Sequence, residues 1–213
     1  MTKVKICGIT NSADALAAIE AGADMLGFLV VPRSGAQFVS KQQTAEIIPQ
    51  LPERVMSVVV TMLEDVREIV DLVRDTHAKA VQLHGDVLPE EVADIKQALP
   101  GIQIIKTIHV RGEAALDEVR QYDGLVDMIL LDSAHHDNTG GTGKTHDWQL
   151  SKRIVDSVSV PVILAGGLNP ENVAEAIGVV HPYGVDARSG VSNTDGTKDL
   201  EKVRQFIVRA KHV

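Results

Sequence analysis

The chain of 213 residues contains one cysteine, Cys7, at the end of a short apolar run in Lys5-Ile6-Cys7-Gly8. Such a residue is either a small buried hydrophobe or a thiolate base, and its place at the end of a run beside glycine favours the second. Side chains alternate across a strand, so Lys5 shares the face of Cys7; a cation held roughly 7 Å away in a poorly solvated interior would lower the thiol pKa. A proton donor to match is Asp132, which closes the apolar run Met128-Ile129-Leu130-Leu131. An acid there is partly desolvated, which raises its pKa toward the general-acid range, although Asp and Ser after a strand also serve as plain turn residues. His84, in Gln82-Leu83-His84-Gly85, and the pair Asp186 and Arg188, in Asp186-Ala187-Arg188-Ser189-Gly190, end two further runs. The glycines of Ala165-Gly166-Gly167-Leu168 and of Ser189-Gly190 offer backbone N–H groups that an anionic group can approach closely.

Other motifs carry less. Gly140-Gly141-Thr142-Gly143-Lys144-Thr145 evokes a triphosphate-binding loop, yet the first glycine of the G-x-x-x-x-G-K-[ST] spacing would fall on Asn138. His135, His136 and His146 lack a ligand-like spacing with a fourth donor, so no metal is expected. Trp148 opens a helical stretch and reads as an anchor between helix and sheet.

These residues need a scaffold that brings strand ends together. Val4–Ile9, Met25–Val31, Val55–Val60, Ala80–Leu83, Ile102–Ile108, Met128–Leu131, Val160–Ala165 and Gly184–Ala187 are short and rich in β-branched residues, and read as strands. Helical spacing fills the gaps at Ala13–Ala21, Ser40–Ile48, Leu63–Arg74, Pro89–Leu99, Gly112–Gln121, Trp148–Ser157, Asn169–Val180 and Lys198–Ala210, with Asn169 as N-cap candidate before Pro170. Eight strand-helix units of roughly 25 residues match the lower size of a closed (β/α)8 TIM barrel, an α/β fold with a parallel eight-stranded core; the alternative is an open doubly wound sheet. No linker divides the chain, so residues 1–213 read as a single barrel domain. Barrel enzymes carry their reacting groups at the C-terminal ends of strands, where Cys7, His84, Asp132, Asp186 and Arg188 all fall.

Composition narrows the function. A formal charge of −8, with 21 Lys and Arg and no long basic run, argues against a nucleic-acid partner. No apolar run approaches the ~20 residues of a membrane span, no signal peptide is evident, and one cysteine permits no internal disulfide, so a cytoplasmic enzyme is expected.

Taken in order, Lys5-Ile6-Cys7-Gly8-Ile9-Thr10, Gln82-Leu83-His84-Gly85, Leu130-Leu131-Asp132-Ser133, Gly140 to Trp148, Ala165-Gly166-Gly167-Leu168 and Gly184-Val185-Asp186 resemble the phosphoribosylanthranilate isomerase family of tryptophan biosynthesis over essentially the whole chain. The resemblance implies an Amadori rearrangement of N-(5'-phosphoribosyl)anthranilate without a cofactor. It makes Asp132 the acid that protonates the ribose ring oxygen and Cys7 the base that removes the C2' proton. It further implies that His84 and Asp186 lie near the substrate, that Gly166, Gly167, Ser189 and Gly190 hold the phosphate, and that the chain is a monomer or homodimer. Two places depart from the family's pattern. The loop Pro32-Arg33-Ser34-Gly35-Ala36-Gln37-Phe38-Val39-Ser40 lacks the usual arginine that grips the anthranilate carboxylate, and Arg188 stands where a small residue is usual. Either Arg188 or Arg33 supplies the carboxylate contact, or the pocket serves another phosphosugar as a divergent isomerase or lyase.

Overall fold

The structure is a computed structural model that describes residues 1–30, 37–133 and 147–213. In chain order the first half comprises β1 (Lys3–Cys7), α1 (Ser12–Glu20), β2 (Met25–Leu29), α2 (Lys41–Ile47), β3 (Met56–Thr61), α3 (Val66–Thr76), β4 (Ala80–Leu83) and α4 (Pro89–Ala98). The second half comprises β5 (Gln103–Val110), α5 (Ala114–Tyr122), β6 (Met128–Ser133), α6 (Trp148–Val155), β7 (Val162–Leu164), α7 (Val173–Val180), β8 (Gly184–Ala187) and α8 (Leu200–Lys211). The strands form one closed parallel barrel in sequential order. Lys5 settles the closure, because it registers with Met25 on β2 and with Asp186 on β8. The open sheet is therefore excluded.

Strand alternation sorts the side chains into two cores. Cys7, Met25, Val58, Ala80, Ile105, Met128, Leu130 and Ile163 form the cluster inside the barrel. Val4, Ile6, Phe28, Val59, Val81, Ile104 and Ile129 point outward and pack under the helices. Each fully buried Val, Leu or Ile contributes about 1.5–3 kcal/mol, so the outer shell supplies most of the stabilisation that keeps the strand ends in place.

The helices lie down on that shell for local reasons. In α3 the Asp65 side chain accepts from the Arg67 and Glu68 amides, Ile69, Val70, Leu72 and Val73 are buried, and His77 closes the helix at φ 55°. In α8 the Asp199 carboxylate caps the Lys202 amide, and Val203, Phe206, Ile207 and Ala210 recur at helical spacing on the buried face. Trp148 opens α6 and packs partly buried against the outer core, as expected.

Most boundaries shift by one to a few residues from the expectation, and those of α7, β5 and β6 bear on the site. Asn169 does not cap α7: its side chain accepts from the Glu171 and Asn172 amides in a turn, and the helix begins at Val173. Proline fixed the backbone at 170, but the Asn169 side chain competed for the amides of the first turn. Strand β5 runs on past Ile108 to Val110, and β6 past Leu131 to Ser133, because each pairs the other over that stretch, with His109 opposite Asp132 and Val110 opposite Ser133. Those extra residues bring polar side chains into the ladder at the rim.

Candidate active site

Cys7 ends β1 facing the barrel interior and is buried. Beneath it lies Lys5, fully buried, whose Nζ is 3.0 Å from Asp186 Oδ1. The two residues face each other because Lys5 and Asp186 are register partners on β1 and β8. The Lys5 ammonium also attracts the Cys7 sulfur, both lying against the same glycine, Gly27. Burial opposes the charge on Lys5, but the attraction of Asp186 and Cys7 exceeds it and holds the amine above its ordinary pKa. Gly27 on β2 leaves the necessary room, since a Cβ there would stand 2.8 Å from Cys7 Sγ and 3.2 Å from Lys5 Nζ.

The expected lowering of the Cys7 pKa is corrected by this geometry. Burial pushes the thiol up, the charges of Lys5, Arg188 and Lys198 pull it down, and Asp186 adds to the upward push, leaving Cys7 above its ordinary value. The attraction of Lys5 acts in the expected direction, but burial of the thiol outweighs it and Asp186 adds to the upward push.

Lys198 is a member of this cluster that sequence patterning does not reveal. It is buried, its Nζ donates to Ser192 Oγ at 2.8 Å, and a Cβ on Gly8 would lie 3.4 Å from that Nζ. Burial pushes its pKa down to about 8, with Cys7 and Asp186 opposing. The sequence pattern makes it the first residue of the helical stretch Lys198–Ala210, whereas the structure leaves it in the loop before α8.

Asp132 follows Leu130 by two residues on β6 and so continues the inward face of the strand. Its Oδ1 accepts from the Ser133 amide at 2.8 Å. Beside it stand His84, just past β4, and His109 on β5, with ring centroids 5.0 Å apart and planes at 85°. Burial, reinforced by the charges of His109 and Lys106, pushes His84 down to about 4, so its ring is neutral at neutral pH. Burial also lowers His109. A strand ending at Ile108 would leave His109 in a loop; the signal that finds it is the alternation Ile105, Thr107, His109.

The loops after β7 and β8 pack against their neighbours through glycine. Gly166 and Gly167 have φ of 82° and 69°, in the left-handed region, and a Cβ on Gly166 would fall 2.2 Å from Ser133 Oγ. A Cβ on Gly190 would fall 2.1 Å from the Leu168 carbonyl oxygen. The two loops are thus in direct contact, with Ser189 and Gly190 in a short 3-10 turn from Ser189 to Val191. Adjacent loops after strands seven and eight are the usual phosphate cradle of β/α barrels.

Arg188 leaves β8 at the same rim and crosses to the loop after β2. Its Nε donates to Gln37 Oε1 at 2.6 Å, and its guanidinium carbon lies 5.6 Å from the centre of the Phe38 ring. The two places where the sequence departs from the family pattern therefore touch each other. Arg33 and the motifs from His135 to His146 lie outside the described residues.

Residues 4–209 match the family model described as N-(5'phosphoribosyl)anthranilate (PRA) isomerase. The N-(5'-phosphoribosyl)anthranilate isomerase of Methanocella arvoryzae is 47% identical over 211 residues, covering 99% of both chains. Among solved structures, phosphoribosyl anthranilate isomerase from Thermotoga maritima superposes with a TM-score of 0.91 at 38% identity over 100% of both chains. A phosphoribosyl anthranilate isomerase in complex with reduced 1-(o-carboxyphenylamino)-1-deoxyribulose 5-phosphate superposes with a TM-score of 0.87 at 36% identity, again over 100% of both chains.

Proposed function

Since the chain belongs to the N-(5'-phosphoribosyl)anthranilate isomerase family and catalyses that isomerisation, we propose that Cys7 is its general base and Asp132 its general acid. The reaction is an Amadori rearrangement in tryptophan biosynthesis: the phosphoribosylated amine becomes 1-(2-carboxyphenylamino)-1-deoxyribulose 5-phosphate. Asp132 gives its proton to the ribose ring oxygen, the bond from that oxygen to C1' breaks, and the nitrogen lone pair forms an iminium. The Cys7 thiolate then takes the C2' proton, and the electron pair of that C–H bond neutralises the iminium as an enolamine, which tautomerises to the ketone. One proton has left an acid and one has joined a base, so exchange with solvent resets the pair.

The observation that carries this reading is that the inward faces of β1 and β6 end in a thiol and a carboxyl at the same rim of a closed barrel. Lys5, with Lys198 and Arg188, supplies positive charge to a thiolate formed there. Asp186 holds Lys5 in place, and neutral His84 lines the same rim as a hydrogen-bonding neighbour of the substrate. The phosphate rests on the loops at Gly166–Gly167 and Ser189–Gly190. Arg188, steadied by Gln37 and Phe38, presents its remaining guanidinium N–H groups to the anthranilate carboxylate, a role for which a planar fork is suited. Among the described residues no helix is long and apolar enough to cross a membrane, and we place the enzyme in the cytoplasm, as a monomer or homodimer with a small phosphosugar as its partner.

Turnover of the fluorescent anthranilate riboside tests the assignment. Cys7→Ala and Asp132→Ala each lose at least ~100-fold in kcat. A variant that keeps near-normal kcat removes that residue from proton transfer.

A further inference from the structure

Outside the proton-transfer steps, His84 and His109 stand together at the rim with no role yet given to His109. One ring nitrogen of each and one carboxylate oxygen of Asp132 lie within 4.8 Å of one another. The Nδ1 atoms of both histidines are buried and have no hydrogen-bond partner among the described residues. Buried polar atoms in native proteins nearly always find a partner, so two orphaned imidazole nitrogens on packed rings beside a carboxylate point to an occupant that bonds to them. One ring stands just past β4 and the other on its neighbour β5, and their edge-to-face packing aims one at the side of the other.

We infer that His84, His109 and Asp132 form a binding site for a borderline-soft divalent transition-metal ion such as zinc, and that the bound ion inhibits the isomerase. Zinc binds histidine nitrogen at about 2.0–2.1 Å and carboxylate oxygen at about 2.0–2.2 Å, which sets ligand atoms roughly 3.3 Å apart in a tetrahedral site. Small side-chain rotations close a span of at most 4.8 Å to that value. Two imidazoles and one carboxylate leave a fourth position for water or a substrate oxygen. Lys106, Lys5 and Arg188 all place positive charge near His84, which disfavours a hard cation held by charge alone. Transition metals overcome that field through strong bonds to imidazole, whereas magnesium and calcium prefer oxygen ligands.

The inhibitory part rests on Asp132 as the acid. An ion that takes the carboxylate oxygen removes the position from which the proton is delivered, and it stands where the substrate must lie.

Cobalt(II) in place of zinc separates the two claims, because its visible ligand-field bands report coordination without turnover. Stoichiometric cobalt binding in a low-coordinate site is expected, at least about tenfold weaker in both His84→Ala and His109→Ala. His109→Phe, which fills the space without a ring nitrogen, must weaken it equally, so that loss of fold does not imitate loss of a ligand. A sulfur charge-transfer band would place the ion on Cys7, the one thiol, and overturn the site. Bands unchanged in all three variants would do the same by assigning cobalt to other histidines. In turnover assays zinc raises KM for the wild type and not for His109→Phe. Histidine-dependent cobalt binding without zinc inhibition would keep the site and strike instead at Asp132 as the acid.

Discussion

Arg188 Nε donates to Gln37 Oε1 at 2.6 Å, joining the loop after β8 to the loop after β2 across 151 residues of sequence. The pairing fixes the guanidinium over Phe38, so the cation enters the rim as a positioned group. Its removal is expected to weaken substrate binding with little change in the chemical step. Arg188→Ala raises KM for the anthranilate riboside by about ten- to one-hundred-fold, the value of a charge-assisted hydrogen bond of roughly 1.5–3 kcal/mol. Arg188→Lys does not restore it, because an ammonium lacks the bidentate fork. A kcat loss with KM unchanged would assign Arg188 to the reaction and not to binding.

The pH dependence follows from the raised Cys7 pKa. A base whose pKa lies above its ordinary value is protonated at neutral pH, so the active thiolate fraction grows as pH rises. The pH dependence of alkylation at this single thiol, which reports the base apart from the acid, therefore has its midpoint above the ordinary cysteine value. A plateau already reached below pH 7 would contradict it.

Asp186→Asn isolates one cause of that shift. The carboxylate raises the thiol directly and matches the charge of Lys5, so its loss lowers the Cys7 pKa on both counts. The pH dependence of iodoacetamide alkylation reads this at a single site, since the chain has one cysteine. The expected midpoint moves to lower pH, while kcat falls because Lys5 is no longer held. An unchanged midpoint would mean that burial alone sets the thiol.

Gly27→Ala tests the packing under the thiol. The added Cβ would meet Cys7 Sγ at 2.8 Å and the Cys7 backbone at 3.2 Å, so the sulfur and the ammonium must both move. Turnover drops at least ~10-fold, since a misplacement of about 1 Å at a reacting group costs up to ~100-fold. The melting transition moves little if only the two side chains adjust. A fully active variant would show that the sulfur's position is not critical.

Gly190→Ala tests the paired loops. Its Cβ would lie 2.1 Å from the Leu168 carbonyl oxygen, which neither backbone can relieve without shifting. Overpacking of this kind costs typically ~1–3 kcal/mol, and denaturant unfolding measures it. Affinity for inorganic phosphate, read by its competition with substrate, falls in parallel. Unchanged phosphate inhibition would move the phosphate away from this pair of loops.

Much of this molecule is written in local patterns. Runs such as Met128-Ile129-Leu130-Leu131 and Ala80–Leu83 become strands because β-branched and aliphatic side chains fit a pleated, buried surface, and alternation already assigns Cys7 and Lys5 to one face. The barrel and the rim positions of Cys7, His84, Asp132 and Asp186 follow from the count of units and the polar residues that end them. Other features depend on distances through space between segments far apart in sequence. Burial inside the closed barrel reverses the direction expected for the Cys7 pKa, Lys198 joins the thiol from a loop, and His109 meets His84 only because β5 pairs with β6 two residues beyond its apolar run. Periodicity encodes which way a side chain points; closure of the barrel decides what it points at, and desolvation and charge pairing act only at that second stage.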